Sequence, residues 1–116
     1  MSEALQIALA TLATEWFKCA RRTMRLAADA SQTRHERERA QLAFSAQRVH
    51  ETLASYGMRM HDFDGQPYSP SLPAEPVNPE DFDGEEGLCV AETLEPTILH
   101  EGRVLMRGKI ALGRQA

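Results

Sequence analysis

Leu5, Leu9, Leu12, Trp16, Cys19, Thr23 and Leu26 follow one another at alternating steps of four and three residues. On an α-helix that rhythm holds all seven on one stripe, the pattern of a coiled-coil or bundle seam. Ser2 is placed to cap the helix, its hydroxyl accepting an otherwise unpaired backbone N–H. No Gly or Pro interrupts the pattern before Asp29-Ala30-Ser31-Gln32. Next comes Thr33-Arg34-His35-Glu36, which reads as a capping box in which Thr33 and Glu36 satisfy each other's backbone donors. A second stripe follows at the same spacing, through Leu42, Ala46, Val49, Leu53 and Tyr56, and Gly57 sits where a left-handed residue ends a helix. The spacing therefore predicts a helical hairpin with arms of roughly 28 and 23 residues, about 42 and 35 Å long.

One interface between two helices covers only one side of each. Ile7, Phe17, Met24 and Phe44 lie off the stripes and widen the apolar surface. Pairing two hairpins into a four-helix bundle would cover them and double the buried seam. A homodimer is expected on this ground, with Leu5, Leu9, Leu12, Trp16, Leu42, Val49 and Leu53 at the dimerisation seam.

Beyond Gly57 the chain changes character. Lys and Arg outnumber Asp and Glu by eight to six through Gly57, but number five against eleven afterwards. The expected division is a helical hairpin over 1–57 and a small β domain over 58–116. Met58-Arg59-Met60-His61-Asp62-Phe63 alternates as a short strand, and Asp64-Gly65 signals a tight turn. Five prolines between Pro67 and Pro79 exclude a helix interior or central strand, so an extended surface loop is expected there. Asp81 to Gly87 adds an acidic turn, and Leu88 to Leu94 reads as a strand. Turns at Glu95-Pro96-Thr97 and His100-Glu101-Gly102 lead to a last strand, Arg103 to Leu112. Its alternation puts Val104, Met106, Ile110 and Leu112 on one face and Arg103, Leu105, Arg107 and Lys109 on the other. Gly108 permits a close approach of backbone. The fold class is α+β, a helical hairpin pairing into a dimeric four-helix bundle and followed by a small all-β domain of four to six strands.

The chemistry-bearing residues form no catalytic pattern. Asp-Phe-Asp-Gly occurs twice, at Asp62–Gly65 and Asp81–Gly84, but lacks the spacing of an EF-hand loop and is read as a turn. His35, His50, His61 and His100 have no partner at zinc-ligand spacing. Cys19 falls on the seam, where a buried thiol is expected, and Cys89 in a strand; neither has a nucleophile's setting. No phosphate loop, nucleophile elbow or metalloprotease motif is present, so neither an enzyme nor a cofactor is expected. With 42% hydrophobic and 26% charged residues, and no apolar run near about 18 residues, neither a membrane span nor wholesale disorder is expected. The N-terminus lacks the basic region of a secretory signal, and two distant cysteines suit a reducing compartment, so a cytoplasmic protein is expected. Arg21, Arg22, Arg25, Arg34, Arg37 and Arg39 cluster near the hairpin tip. Interleaved Glu36 and Glu38 and the absence of aromatics favour a solvated or ion-paired bundle end over a nucleic-acid contact. Arg103, Arg107 and Lys109, on one face of an acidic unit, suit an acidic partner surface.

The run Leu94-Glu95-Pro96-Thr97-Ile98-Leu99-His100-Glu101-Gly102-Arg103-Val104-Leu105-Met106-Arg107-Gly108-Lys109-Ile110-Ala111-Leu112 resembles the closing signature of GrpE-type nucleotide exchange factors. Tyr68-Ser69-Pro70 resembles that family's Phe/Leu-Asp-Pro element, and Tyr56-Gly57-Met58 its helix end entering the β domain. The resemblance covers Leu42 to Leu112. Thr97-Ile98 departs from the family's Gly-Tyr/Phe, Pro73-Ala74-Glu75-Pro76 from its His-x-Ala-hydrophobic run, and the family's long N-terminal helix has no counterpart. What the resemblance implies is a co-chaperone whose β domain holds open the nucleotide-binding domain of a DnaK-type ATPase and so promotes ADP release. Carried over by position, Arg103 would be a polar contact to the chaperone and Leu112 an apolar one, with Tyr68, Pro70 and Leu94 lining the remaining contact face. The alternative is a dimeric scaffold or adaptor of the same fold that binds another partner without exchange activity.

Overall fold

The computed structural model describes residues 2–115 and divides into two compact units, the chain passing from one to the other between Arg59 and Met60. The first unit contains helices α1 (Glu3–Ala27) and α2 (Gln32–Ala54). Ser2 caps α1, its hydroxyl accepting from Leu5 N–H at 3.2 Å. At the start of α2 the cap is Ser31, two residues earlier than the capping-box pattern suggests. Its hydroxyl accepts from Arg34 N–H at 3.3 Å, while Glu36 instead accepts from the Gln32 side chain at 3.0 Å. The local competition is won by Ser31 because its extended backbone (φ −60°, ψ 155°) presents the hydroxyl to the first turn. Gly57 adopts φ 71°, the left-handed conformation its position asked for. Trp16 Nε1 donates to Ser45 Oγ at 3.3 Å, tying the antiparallel arms together.

The covered stripe of α1 is not the leucine stripe. Ala10, Ala13, Thr14, Phe17 and Ala27 are buried, a set displaced by one residue, or about 100° of helix rotation, from Leu9, Leu12, Trp16 and Leu26. The rhythm of four and three is right, but its phase is shifted. Alanines at the covered positions let backbones approach closely and leave the larger side chains at the margin. Cys19, expected to be buried, is exposed for the same reason.

After α2, six short strands form two three-stranded sheets. They are β1 (Met58–His61), β2 (Ala74–Pro76), β3 (Leu88–Glu95), β4 (Thr97–His100), β5 (Arg103–Met106) and β6 (Gly108–Arg114). One sheet has the order β1-β4-β5 and the other β2-β6-β3. Strand β2 corrects the expectation of an unbroken loop. It runs parallel to β6, pairing Ala74 with Gly108 and Pro76 with Ile110, and its edge position is what admits a proline. Asn78 extends the pairing with its side chain, donating to Leu112 O at 3.2 Å and accepting from Leu112 N–H at 2.9 Å.

The expected long last strand is two strands separated by Arg107, and Pro96 separates β3 from β4 in the same way. The chain from Leu88 to Arg114 is thus one long hairpin that changes sheet at a corner. Gly108 lies inside that corner: a Cβ there would stand 2.8 Å from both the Pro96 carbonyl carbon and the Thr97 nitrogen. Fully buried Thr97 fastens the corner, donating from Oγ1 to Pro73 O at 2.6 Å and accepting from Gly108 N–H at 3.0 Å.

The core beneath β2, β3 and β6 consists of Phe63, Ala74, Leu88, Val90, Ile110 and Leu112, with Tyr68, Leu72 and Phe82 packed against it. Both Asp-Phe-Asp-Gly copies therefore send their phenylalanine to this core, and both end on a glycine at φ 77°. In the first copy Asp64 Oδ1 accepts from Thr93 N–H at 2.7 Å while Thr93 Oγ1 accepts from Phe63 N–H at 2.9 Å. The register shift at Ala91 makes this possible, since Val90 pairs with Leu112 but Thr93 with Ile110, turning Thr93 rather than Glu92 inward.

Candidate functional site

Arg103 opens β5 immediately after the tip of the β4–β5 hairpin. The tip is a two-residue turn in which Glu101 (φ 51°) and Gly102 (φ 81°) both adopt left-handed backbone. That is the primed turn whose twist matches flanking strands, and it fixes His100 opposite Arg103. Arg103 is exposed and, among the described residues, its side chain makes no hydrogen bond or ion pair.

The other basic residues expected on its face are already matched. Arg107 Nη2 donates to Ala74 O at 3.4 Å and its Nε lies 3.8 Å from Glu75. Lys109 Nζ lies 3.9 Å from Glu95. Arg114 grips Glu85 with two hydrogen bonds of 2.9 Å and lies over the Phe82 ring, 4.9 Å from its centroid. The Glu85 carboxylate, by hydrogen bond and then by charge, raises the Arg114 guanidinium above its ordinary pKa.

The register of β5 adds a feature the sequence conceals. Met106 pairs with Ile98 and Val104 with Leu99, adjacent residues of β4 that point to opposite faces. One residue is thus inserted at Leu105, and Val104 and Met106 cannot share a face as simple alternation requires. Val104 is left 50% exposed, whereas Ile98 is fully buried.

The remaining carried-over positions divide between surface and core. Leu112 is only 5% exposed and belongs to the hydrophobic core, so its place is to support the sheet rather than to offer an apolar contact. Tyr68 is half-buried against that same core and donates its N–H to Leu88 O at 2.8 Å. Leu94 is half-buried at the second register shift of β3, and Pro70 is exposed in the turn closed by Leu72 N–H to Ser69 O. Tyr68 and Leu112 are thus brought together in the core packing, while Arg103 stands on the other sheet.

The helical unit carries a second surface. Leu9, Leu12, Ala13, Trp16, Arg48, Val49, Thr52 and Leu53 line an open groove of about 260 Å³ between the arms. Of the expected seam residues, Leu53 is buried, Leu9, Trp16, Leu42 and Val49 are half-buried, and Leu5 and Leu12 are exposed, Leu12 by 68%. Leu26 at 70% and Phe44 at 65% are further exposed apolar side chains of the helical unit. At the hairpin tip, Arg21 lies over the Phe17 ring at 4.6 Å. Among the described residues no three His, Cys, Asp or Glu side chains are grouped to hold a metal ion, and no helix is long and apolar enough to cross a membrane. Comparison with protein-family models, curated proteins and solved structures returns no significant match.

Proposed function

We propose that this chain is a GrpE-like co-chaperone: a homodimer that binds the nucleotide-binding domain of a DnaK-type chaperone and promotes ADP release. The observation that carries the reading is Arg103, an exposed cation whose side chain has no partner among the described residues, next to the tip of the β4–β5 hairpin. It stands at the position where the resemblance puts the polar chaperone contact. The order of a helical hairpin, a proline-bearing segment and a two-sheet β unit supports it. Uncovered Leu5, Leu12 and Phe44 support pairing of two hairpins as a four-helix bundle, since exposed apolar side chains gain by leaving water.

Two of the departures from the family pattern, Thr97-Ile98 and Pro73 to Pro76, lie inside the β unit. Glu75 of the second run is exposed, but Thr97 and Ile98 are fully buried and Ala74 is buried in β2, so these three positions alter the scaffold. That favours the exchange factor over the adaptor. Mechanistically, an exchange factor acts by preferring the open form of its partner's cleft, which shifts the population toward it. Reciprocity then requires nucleotide to weaken the factor's own binding. Calorimetric titration of the full chain into a DnaK-type ATPase domain, nucleotide-free and ADP-saturated, tests this. Tighter binding to the nucleotide-free form is expected; equal affinity for both would replace the exchange factor by the adaptor.

A further inference from the structure

We infer that the outward edge of β5 is a docking edge for one extended segment of the partner, gripped through the main chain of Val104 and the side chain of Arg103. The inference rests on the co-chaperone reading for the identity of the partner and adds the manner of its capture.

Strands β2, β3 and β5 each form an edge of one of the two sheets. The outward edge of β3 is occupied by the chain itself: Gly65 N–H donates to Val90 O, Val90 N–H to Gln66 O and Tyr68 N–H to Leu88 O, each at 2.8 Å. At the edge strand β2, Pro76 has no N–H to offer. Strand β5 has neither protection. In a two-residue hairpin the residues flanking the turn, here His100 and Arg103, exchange their main-chain hydrogen bonds. The next pair, Leu99 and Val104, then does not, so the N–H and C=O of Val104 point away from β4. No other backbone group among the described residues pairs with them.

The insertion at Leu105 limits how far a docked strand can run, so the main chain offers one donor and one acceptor rather than a long ladder. Side chains on either side supply the selectivity. Val104 gives an exposed β-branched surface, and adjacent Arg103 gives a charge that no side chain among the described residues pairs with. The fitting occupant is an extended segment with an apolar side chain to cover Val104 and a carboxylate within reach of Arg103. This also answers the burial of Leu112: the apolar part of the contact is made by Val104.

The test uses the full chain and the ATPase domain of a DnaK-type chaperone. Val104→Pro removes the outward N–H without removing a bond to β4, a substitution an edge strand accommodates. It should weaken binding about tenfold, the loss of one well-made hydrogen bond. In the unsubstituted protein, hydrogen exchange at the Val104 amide should slow on binding, which needs no variant to fold. Undiminished binding by Val104→Pro, or an amide that exchanges as fast in the complex as outside it, overturns the docking edge and leaves the co-chaperone reading standing. Failure of the unsubstituted chain to bind the ATPase domain overturns both.

Discussion

Thr97 offers a clean test of how the β unit is held together, because packing and hydrogen bonding predict opposite orders for two substitutions. Its side chain is fully buried and its hydroxyl serves two backbone groups, Pro73 C=O and Gly108 N–H. Thr97→Val keeps the shape and strands both groups. A stranded buried polar group costs about 1–3 kcal/mol, and the Pro73 carbonyl, being half-open, belongs at the low end. The sum is about 2–4 kcal/mol. Thr97→Ser keeps both hydrogen bonds and removes one methyl, which costs about 1 kcal/mol. Urea unfolding followed by amide NMR signals of β6 reads the unit without interference from the helices. Serine is expected to retain more stability than valine. Were valine the milder substitution, the corner would be held by packing and the account of Thr97 would be wrong.

Four further outcomes are expected. Gly108→Ala places a methyl against the backbone of Pro96 and Thr97, neither of which can yield, and should cost about 3 kcal/mol or prevent folding, read by the same urea series. Leu112→Ala should destabilise by about 2–4 kcal/mol, whereas Arg103→Ala should leave stability within about 0.5 kcal/mol and abolish chaperone binding; this separates core from contact. The double substitution Leu5→Ser, Leu12→Ser should raise the dimer dissociation constant at least about tenfold in sedimentation equilibrium while helix content at high concentration is kept. Because the Arg114 guanidinium is raised above its ordinary pKa, the charge it offers Glu85 is fully present below the unfolded value and is lost only in strong alkali. A pH titration of the β unit between 6 and 10 should therefore show no step from Arg114, and Arg114→Gln should leave that profile unchanged.

The architecture was legible in the sequence wherever a local rule acts alone. Ser2 caps a helix, Gly57 turns left-handed, and Glu101-Gly102 closes a hairpin because short-range backbone chemistry decides each. The rhythm of the helical stripes was legible too, but their phase was not. A stripe of leucines and a neighbouring stripe of alanines obey the same spacing, and choosing between them takes knowledge of what lies opposite. The β unit hid more. Its three register shifts and the corner at Pro96 and Gly108 depend on pairings between separate strands, which shift the alternation of faces without any local mark. Placing Val104 on one face with Met106 follows from reading β5 and β6 as one straight strand, whereas the contact role of Leu112 came from the resemblance and not from the strand pattern. Asn78, which completes the pairing of β2 with β6, carried no signal beyond its place among prolines. Arg103 could be singled out, but that Arg107 and Lys109 are matched by Glu75 and Glu95 required the fold.

The central claim is that this chain opens the nucleotide cleft of a DnaK-type chaperone through Arg103. Stopped-flow release of a fluorescent ADP analogue from such a chaperone, with excess unlabelled nucleotide and with or without the full chain, addresses it directly. The account predicts release that accelerates with added protein and returns to the basal rate with Arg103→Ala. Binding without acceleration, or acceleration that survives the substitution, would contradict it.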